Sequence, residues 1–228
     1  MIFGGFLKLT LLDFPGKVSC ILFTKGCNFY CPFCHNASLV KSNGDEQNIT
    51  SGEVFDYLKK RQGILEGVCI SGGEPLLHKE LDTFLQQVKE LGYLVKLDTN
   101  GSFPKRLKSL VSNGLVDYVA MDIKNSFEKY AKTAGLEKVN ISEIKESVDF
   151  LLSDNVDYEF RTTVVNELHT VDDIEKICME IKGAKKYYLQ NFVDSGNIIG
   201  KNLHPVEIEE LEKMQKVATM YVKTAQVR

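Results

Sequence analysis

Three of the six cysteines lie within eight residues, at Cys27, Cys31 and Cys34, in the spacing Cys-x3-Cys-x2-Cys. Thiols this close in sequence can turn toward one centre if the backbone forms a loop, and Gly26 and Pro32 favour a loop over a helix or strand. Four ligands complete a tetrahedral zinc site or an ordinary iron–sulfur cluster, so three protein ligands leave one position open. The sequence therefore predicts a metal centre that keeps a coordination position for substrate.

Two kinds of metal centre suit this set of thiolates. A zinc site would need a fourth ligand, for which His35 is the candidate, but zinc modules generally pair two-ligand arms that are well apart in sequence. No second arm is present, and the softness and spacing of the donors favour an iron–sulfur cluster. Cys20, Cys69 and Cys178 fall in apolar strands or on the core face of a helix, so we expect them to be structural.

Predicted strands and helices alternate along the chain, and these elements must position the cysteine loop. The six predicted strands are 18–24, 67–70, 93–97, 118–121, 158–165 and 186–189, and most are followed by a segment of helical period. The polar stretch 41–49 is predicted to be a loop. Alternation of this kind favours a parallel sheet with right-handed helical crossovers.

Polar or glycine-rich residues mark the carboxyl ends of the predicted strands. They are, in chain order, the cysteine loop, Gly72-Gly73-Glu74, Asp98-Thr99-Asn100, Asp122 with Lys124, Arg161, and Gln190-Asn191. A barrel gathers strand ends around one mouth, whereas an open sheet spreads them along an edge. We therefore expect an α/β fold of the partial (β/α)6 TIM type. It would form one domain over residues 1–228, with a core at about 7–193 and a C-terminal helix at about 205–222.

The cysteine loop, with aromatic Phe33 before its last cysteine, resembles the signature of the radical S-adenosylmethionine superfamily. His35-Asn36, the motif at 72–75 and the stretch at 8–17 narrow the resemblance to the activases of glycyl radical enzymes. The stretch at 8–17 resembles activases of anaerobic ribonucleoside-triphosphate reductase, to which the activase of pyruvate formate-lyase is related. The resemblance covers about residues 7–193 and implies a [4Fe–4S] cluster on the three clustered cysteines.

The resemblance also implies a reaction. S-adenosylmethionine would chelate the fourth iron, and its reductive cleavage would give methionine and a 5′-deoxyadenosyl radical that takes hydrogen from a glycine Cα of a partner. The expected partner is an anaerobic ribonucleotide reductase, and the expected electron donor is a flavodoxin or ferredoxin. Alternatives within the superfamily are a pyruvate formate-lyase type partner, a small molecule or a peptide. A zinc-binding interaction module is a further alternative.

Further site residues follow from the same resemblance. Gly72, Gly73 and Glu74 form the segment that receives the methionine amino group, and the backbone near Phe33 contacts the adenine. The alternative for the two glycines is that they form an ordinary turn after a strand.

The two acids Asp98 and Asp122 would repel each other at low dielectric unless a cation intervened. Together with Thr99 they are therefore candidate ligands of a monovalent cation, as in the pyruvate formate-lyase activase. The alternative for residues 98–101 is a simple turn.

Lys124 and Arg161 are candidates to balance this charge and to hold the ligand carboxylate or the partner's peptide. The alternatives are a solvated lysine and a structural ion pair. Asn191 or Gln190 stands where the pyruvate formate-lyase activase has a ligand-contacting histidine, and is a candidate donor. His78, His169 and His204 are expected to have capping or surface roles.

Composition excludes other classes of function. With 43% hydrophobic and 26% charged residues the chain is ordinary for a globular protein, and its net charge of −3 indicates neither nucleic acid nor an anionic membrane as partner. No apolar run has the length of a membrane span, and residues 1–8 do not have the form of a signal peptide. Clustered cysteines fit metal binding in a reducing compartment better than disulfides, so cytoplasm is the expected location.

Overall fold

The computed structural model describes residues 1–40 and 48–228, so most of the predicted loop at 41–49 lies outside the described residues. The strands are β1 (Ile2–Thr10), β2 (Ser19–Thr24), β3 (Ile49–Thr50), β4 (Gly67–Gly72), β5 (Leu94–Thr99), β6 (Tyr118–Asp122), β7 (Asp157–Val164), β8 (Tyr187–Asn191) and β9 (Ala225–Val227). The α-helices are α1 (Ala37–Val40), α2 (Ser51–Arg61), α3 (Leu81–Glu90), α4 (Pro104–Ser112), α5 (Tyr130–Ala134), α6 (Ile141–Leu152), α7 (Val171–Glu180) and α8 (Ile208–Ala218). None of the helices described is long and apolar enough to cross a bilayer.

The strands follow the order β3-β1-β2-β4-β5-β6-β7-β8-β9 in one sheet. Parallel pairs join β2 to β4, β4 to β5, β7 to β8 and β8 to β9. Strand β1 is antiparallel to its neighbours β2 and β3. The predicted α/β fold with a mostly parallel sheet of the partial TIM type is confirmed. All six predicted strands are present, and β1 falls in the opening stretch to Leu12, whose residues favour an irregular strand or hairpin arm. Strands β3 and β9 and helices α1 and α5 were not predicted, and Ile49 of β3 lies in the stretch predicted to be a loop.

The residues cluster into two compact units. The first comprises Met1–Asn28, Ser38–Thr99 and Lys105–Val119, and it contains β1 to β5 with helices α2 to α4. The second comprises Phe29–Ala37, Asn100–Pro104 and Ala120–Arg228, and it contains β7 to β9 with helices α5 to α8. The first two residues of β6 belong to the first unit and the rest to the second. The organisation as a single domain stays a prediction.

Local signals explain where these elements begin and what they bury. Helix α2 starts at a capping box, which the pattern Thr50-Ser51-Gly52-Glu53 predicts. The Glu53 N–H donates to the Thr50 hydroxyl at 3.3 Å, and the Thr50 N–H donates to the Glu53 carboxylate at 2.8 Å. Cys20, Cys69 and Cys178 are fully buried, as expected of structural thiols. Burial raises the pKa of each of these three thiols to about 12, so they stay protonated.

Candidate functional site

The predicted site residues fall into two groups, one in each unit. Those of the first unit are Cys27, Gly72, Gly73, Glu74, Asp98 and Thr99. Those of the second unit are Cys31, Phe33, Cys34, Asp122, Lys124, Arg161 and Asn191. The geometry of each group is given within its own unit.

A tight turn carries two of the three clustered cysteines. The Cys34 N–H donates to the Cys31 carbonyl at 3.0 Å, and Pro32 occupies the second position, where its fixed φ suits a turn. Phe33 is buried, the Cys31 side chain is only 7% exposed, and Cys34 is half-buried. Burial raises the pKa of the Cys31 thiol to about 11, against the opposing effect of the Lys124 charge. Metal ligation at Cys31 therefore requires replacement of a proton.

Gly72 and Gly73 bring two backbone segments of the first unit into contact. Gly72 has a φ of +114°, and a Cβ there would overlap the backbone of Thr24. A Cβ on Gly73 would overlap the carbonyl oxygen of Gly26. The Gly73 N–H donates to the Thr24 carbonyl and the Glu74 N–H to the Gly26 carbonyl, both at 2.9 Å. The predicted glycine motif thus holds the end of β4 against the residue that precedes Cys27.

A buried hydrogen bond links the ends of β4 and β5. Glu74 is fully buried, and its carboxylate accepts from the Thr99 hydroxyl at 2.9 Å and from the Leu76 N–H at 3.1 Å. These bonds offset part of the desolvation cost of the carboxylate. Glu74 and Thr99 are therefore brought together as predicted site residues, and each supports the position of the other.

Asp98 is paired with a lysine that the sequence analysis did not single out. Lys96 lies two residues earlier on β5, on the same face of the strand, and forms an ion pair with Asp98. The Lys96 side chain is only 2% exposed. The signal for it in the sequence is a lysine at the centre of an apolar strand, two positions before an acid.

Asp122 lies between two cations in the second unit. Arg161 Nε donates to its Oδ1 at 2.9 Å, and Lys124 Nζ donates to its Oδ2 at 3.1 Å. Burial tends to raise the pKa of Asp122, but the charges of Arg161 and Lys124 outweigh burial and lower this pKa to about 2. Burial likewise opposes the charge of Lys124, yet the Asp122 carboxylate holds the lysine pKa above its usual value. All three groups are therefore ionised at neutral pH.

These pairs change the argument for a bound cation. Asp98 pairs with the ammonium of Lys96, and Asp122 pairs with the ammonium of Lys124 and the guanidinium of Arg161. The expectation that the two acids need an added cation rested on charges without such partners. The cation site on Asp98, Thr99 and Asp122 stays a prediction, but charge repulsion no longer supports it.

Asn191, the candidate donor at the end of β8, makes a reciprocal pair with the backbone. Its Nδ2 donates to the Val206 carbonyl and its Oδ1 accepts from the Val206 N–H, both at 2.9 Å. These bonds fix the segment that leads into α8. Contact between a ligand and the Asn191 amide would compete with these two hydrogen bonds. The ligand-binding role of Asn191 therefore stays a prediction.

The histidines differ in burial. His204 is exposed and pairs with Glu167 at 2.7 Å, as expected of a surface residue. His78 follows the short 3-10 helix Pro75–Leu77 as its C-cap, and its Nε2 donates to the Lys25 carbonyl at 2.8 Å. His169 is only 3% exposed, so the expectation of a surface or capping role is wrong. Its Nδ1 accepts from the Val165 N–H, four residues earlier, and its Nε2 donates to the Lys124 carbonyl, 45 residues away in sequence, which no local pattern reveals.

The donor set fits an iron–sulfur cluster better than a zinc ion. Across residues 1–40 and 48–228, no three His, Cys, Asp or Glu side chains are gathered as a single ion requires. Each cysteine of a [4Fe–4S] cluster ligates its own iron, so such thiolates need not converge on one point. His35, the candidate fourth zinc ligand, donates from Nε2 to the Val193 carbonyl at 2.9 Å and stacks on Phe192.

Comparison with known proteins agrees with the resemblance found in the sequence. The family model described as "Radical SAM superfamily" matches residues 21–181. A protein of Methanocaldococcus jannaschii described as a glycyl-radical enzyme activating enzyme is 34% identical, over 99% of this chain and 95% of the relative. The pyruvate formate-lyase-activating enzyme of Staphylococcus aureus is 29% identical, over 59% of this chain and 57% of its own length. The solved structure of Streptococcus suis SuiB bound to S-adenosylmethionine is 15% identical. It aligns with a TM-score of 0.66 over 91% of this chain and 51% of its own, which shows a shared fold.

Proposed function

Because the chain belongs to the radical S-adenosylmethionine superfamily, we propose that it activates an anaerobic ribonucleoside-triphosphate reductase by generating a glycyl radical on it. The family relation makes it an enzyme of the glycyl-radical activating type, with a [4Fe–4S] cluster and S-adenosylmethionine as cofactors. The observation that carries the proposal is the 34% identity to such an activating enzyme over 99% of this chain. The similarity of residues 8–17 to activases of the reductase supports this choice of partner.

Cys27, Cys31 and Cys34 are the proposed ligands of the cluster. When bound, the reduced cluster and S-adenosylmethionine supply a 5′-deoxyadenosyl radical, which takes a hydrogen atom from a glycine Cα of the partner. The chain contributes a turn that holds Cys31 and Cys34 close, in an environment where Cys31 is nearly shielded from water. A flavodoxin or ferredoxin is the proposed source of the electron.

Lys124 and Arg161 are the proposed holders of the S-adenosylmethionine carboxylate. Both pair with Asp122, at 3.1 and 2.9 Å, and the three groups together sum to one positive charge. A half-buried cationic group of this kind suits an anionic ligand, because charge-assisted hydrogen bonds strengthen as water is excluded. Asp122 orients both cations and is itself kept ionised by them.

The segment Gly72-Gly73-Glu74 is proposed to receive the methionine amino group, and the backbone near Phe33 to receive the adenine. The backbone of the glycine segment is hydrogen-bonded to Thr24 and Gly26, and the buried hydrogen bond between Glu74 and Thr99 adds rigidity. A site built on fixed backbone positions its ligand with little loss of entropy on binding.

Electron paramagnetic resonance tests this function. The chain is reconstituted anaerobically with iron and sulfide, reduced, and mixed with S-adenosylmethionine and a candidate partner encoded in the same genome. We expect a glycyl doublet on the anaerobic ribonucleoside-triphosphate reductase. A doublet on a pyruvate formate-lyase alone would transfer the function to that partner, and cofactor cleavage without any doublet would indicate a small-molecule or peptide substrate. Uptake of zinc without iron would reject radical chemistry altogether.

A further inference from the structure

A buried imidazole joins two chain segments of the second unit. His169 lies in the loop between β7 and α7 and is 3% exposed. Its Nδ1 accepts from the Val165 N–H at 3.1 Å, and its Nε2 lies 2.8 Å from the Lys124 carbonyl. A carbonyl can only accept, so Nε2 carries the proton. A second contact of Nδ1, with the Val165 carbonyl, is longer at 3.4 Å. Burial lowers the pKa of His169, which keeps the ring in this neutral form.

The carbonyl that His169 holds belongs to a residue of the proposed cofactor site. Lys124 follows β6 by two positions, and its ammonium donates to Asp122 at 3.1 Å. The same charge acts on Cys31, where it opposes the effect of burial on the thiol pKa. The direction in which the Lys124 side chain leaves the backbone is set by the peptide whose oxygen His169 binds.

Neighbouring side chains reinforce the link between the two segments. The buried Asn125 amide donates to the Leu168 carbonyl and to the Thr133 hydroxyl, both at 2.9 Å. One position further, the Ser126 hydroxyl donates to the buried Asp173 at 3.2 Å. These bonds hold residues 125 and 126, whereas the bond from His169 acts on the Lys124 carbonyl itself.

We propose that His169 is a positioning residue that fixes the Lys124 backbone and so aims its ammonium at the carboxylate of S-adenosylmethionine. This inference rests on the proposed function, in which Lys124 holds that carboxylate. His169 does not touch the cofactor; it acts through Lys124. The fold alone would be served by any side chain that fills the same space, whereas this role requires a donor at the Nε2 position.

Two substitutions at position 169 test the contacts of the two ring nitrogens separately. His169→Asn keeps an acceptor near the Nδ1 position for the Val165 N–H but is too short to reach the Lys124 carbonyl. His169→Gln places an amide N–H near the Nε2 position and keeps that donor. Both are neutral and polar, so they form a matched pair. Each is combined with Lys124→Met to complete a double-mutant cycle.

The measured quantity is the dissociation constant of S-adenosylmethionine for the reconstituted protein, by anaerobic equilibrium dialysis. We expect His169→Asn to weaken binding by about tenfold and His169→Gln by less than about threefold. In the Lys124→Met background, His169→Asn should weaken binding by less than about twofold, because the group it positions is gone. In the apoprotein, amide hydrogen exchange of a peptide covering 120–130 should be faster in His169→Asn than in His169→Gln.

Specific results would overturn the inference. An equal loss of affinity from His169→Asn with and without Lys124→Met would mean that the ring supports the fold and not the lysine. Unchanged affinity in Lys124→Met alone would also overturn it. If His169→Asn does not fold, a His169→Gln variant with wild-type affinity supports the inference, and one with a full tenfold loss rejects it. The radical assay is separate, so wild-type protein that binds the cofactor without forming a glycyl radical rejects only the proposed partner.

Discussion

At the scale of single residues, the charge of Asp122 depends on Arg161 and Lys124, which lie 2.9 and 3.1 Å from its two oxygens. Its carboxyl pKa in the folded chain is about 2, below the ordinary value for aspartate. A group whose pKa is lowered on folding stabilises the fold above its unfolded pKa and loses that contribution as the pH falls toward the folded value. For Asp122 this window runs from about pH 4 down to about pH 2.

Asp122→Asn should therefore destabilise the apoprotein more at pH 7 than at pH 3. We expect a loss of about 1–2 kcal/mol in the free energy of unfolding at pH 7, since the side chain is partly exposed and two cations lose their partner. Urea unfolding at both pH values measures it. Asp56→Asn, at an exposed position of α2, is the control and should change little. An equal loss of unfolding free energy at both pH values would show that Arg161 and Lys124 do not lower the pKa of Asp122.

Gly73 tests whether the glycine motif is needed for packing. Gly73→Ala would place a methyl group on the Gly26 carbonyl oxygen, so the backbone beside Cys27 must shift. We expect a loss of more than about 2 kcal/mol in the free energy of unfolding, together with reduced iron uptake on reconstitution. In Gly52→Ala the new Cβ would lie 3.8 Å from the Thr50 hydroxyl, an ordinary van der Waals distance. Because alanine favours the helix more than glycine does, we expect Gly52→Ala to raise the free energy of unfolding by up to about 1 kcal/mol. Equal effects of the two substitutions on the free energy of unfolding would refute the packing argument.

At the scale of elements, β9 shows how a short strand is held. Its residues pair in parallel with β8, and the Arg228 N–H donates to the Leu189 carbonyl at 2.9 Å. The Arg228 guanidinium lies 3.4 Å from the centroid of the Tyr188 ring and 3.2 Å from the buried carboxylate of Glu159. A three-residue strand has few ladder bonds, so these side-chain contacts supply much of its attachment.

Arg228→Gln should loosen this strand. The substitution removes a cation from a buried carboxylate and from an aromatic face, and we expect it to lower the free energy of unfolding by about 1–3 kcal/mol. Urea denaturation measures the loss, and amide exchange at residues 187–191 should become faster. Lys223→Gln changes an exposed residue just before the same strand and serves as the control. Matching unfolding midpoints for both variants would mean that the Arg228 contacts do not stabilise the fold.

At the scale of the whole molecule, cofactor binding and stability are linked. A ligand that binds only the folded state raises the free energy of unfolding, by about 2.7 kcal/mol at a hundred times its dissociation constant. Binding through iron requires the cluster, so the effect of S-adenosylmethionine should depend on the cysteine ligands.

We expect S-adenosylmethionine to raise the melting temperature of the reconstituted protein in a concentration-dependent manner. Anaerobic differential scanning fluorimetry measures the shift. Cys31→Ala should lose iron and show no shift, whereas Cys178→Ala, at a fully buried cysteine of α7, should keep both. A full shift in Cys31→Ala would remove Cys31 from the ligand set.

The sequence by itself determined the superfamily, the six predicted strands and the capping box of α2, and it predicts the cysteine ligands. These features depend on spacing along the chain or on local periodicity, so neighbouring residues are sufficient to predict them. Lys124 and Arg161, the two cations expected to balance negative charge, both pair with Asp122, and a structural ion pair was the alternative stated for Arg161.

Only the tertiary structure decided which polar groups meet. The partners of Glu74, Asn191 and His169 lie 15 to 45 residues away in sequence, and a hydrogen bond leaves no periodic signal at such separations. The burial of Lys96 beside Asp98 was likewise missed, since a lysine in a strand ordinarily faces solvent. Strand β9 was missed because three residues become a strand only when β8 offers its edge. Spacing along the chain predicts the cysteine ligands, whereas contacts between distant segments decide how the charged residues of the proposed site are held.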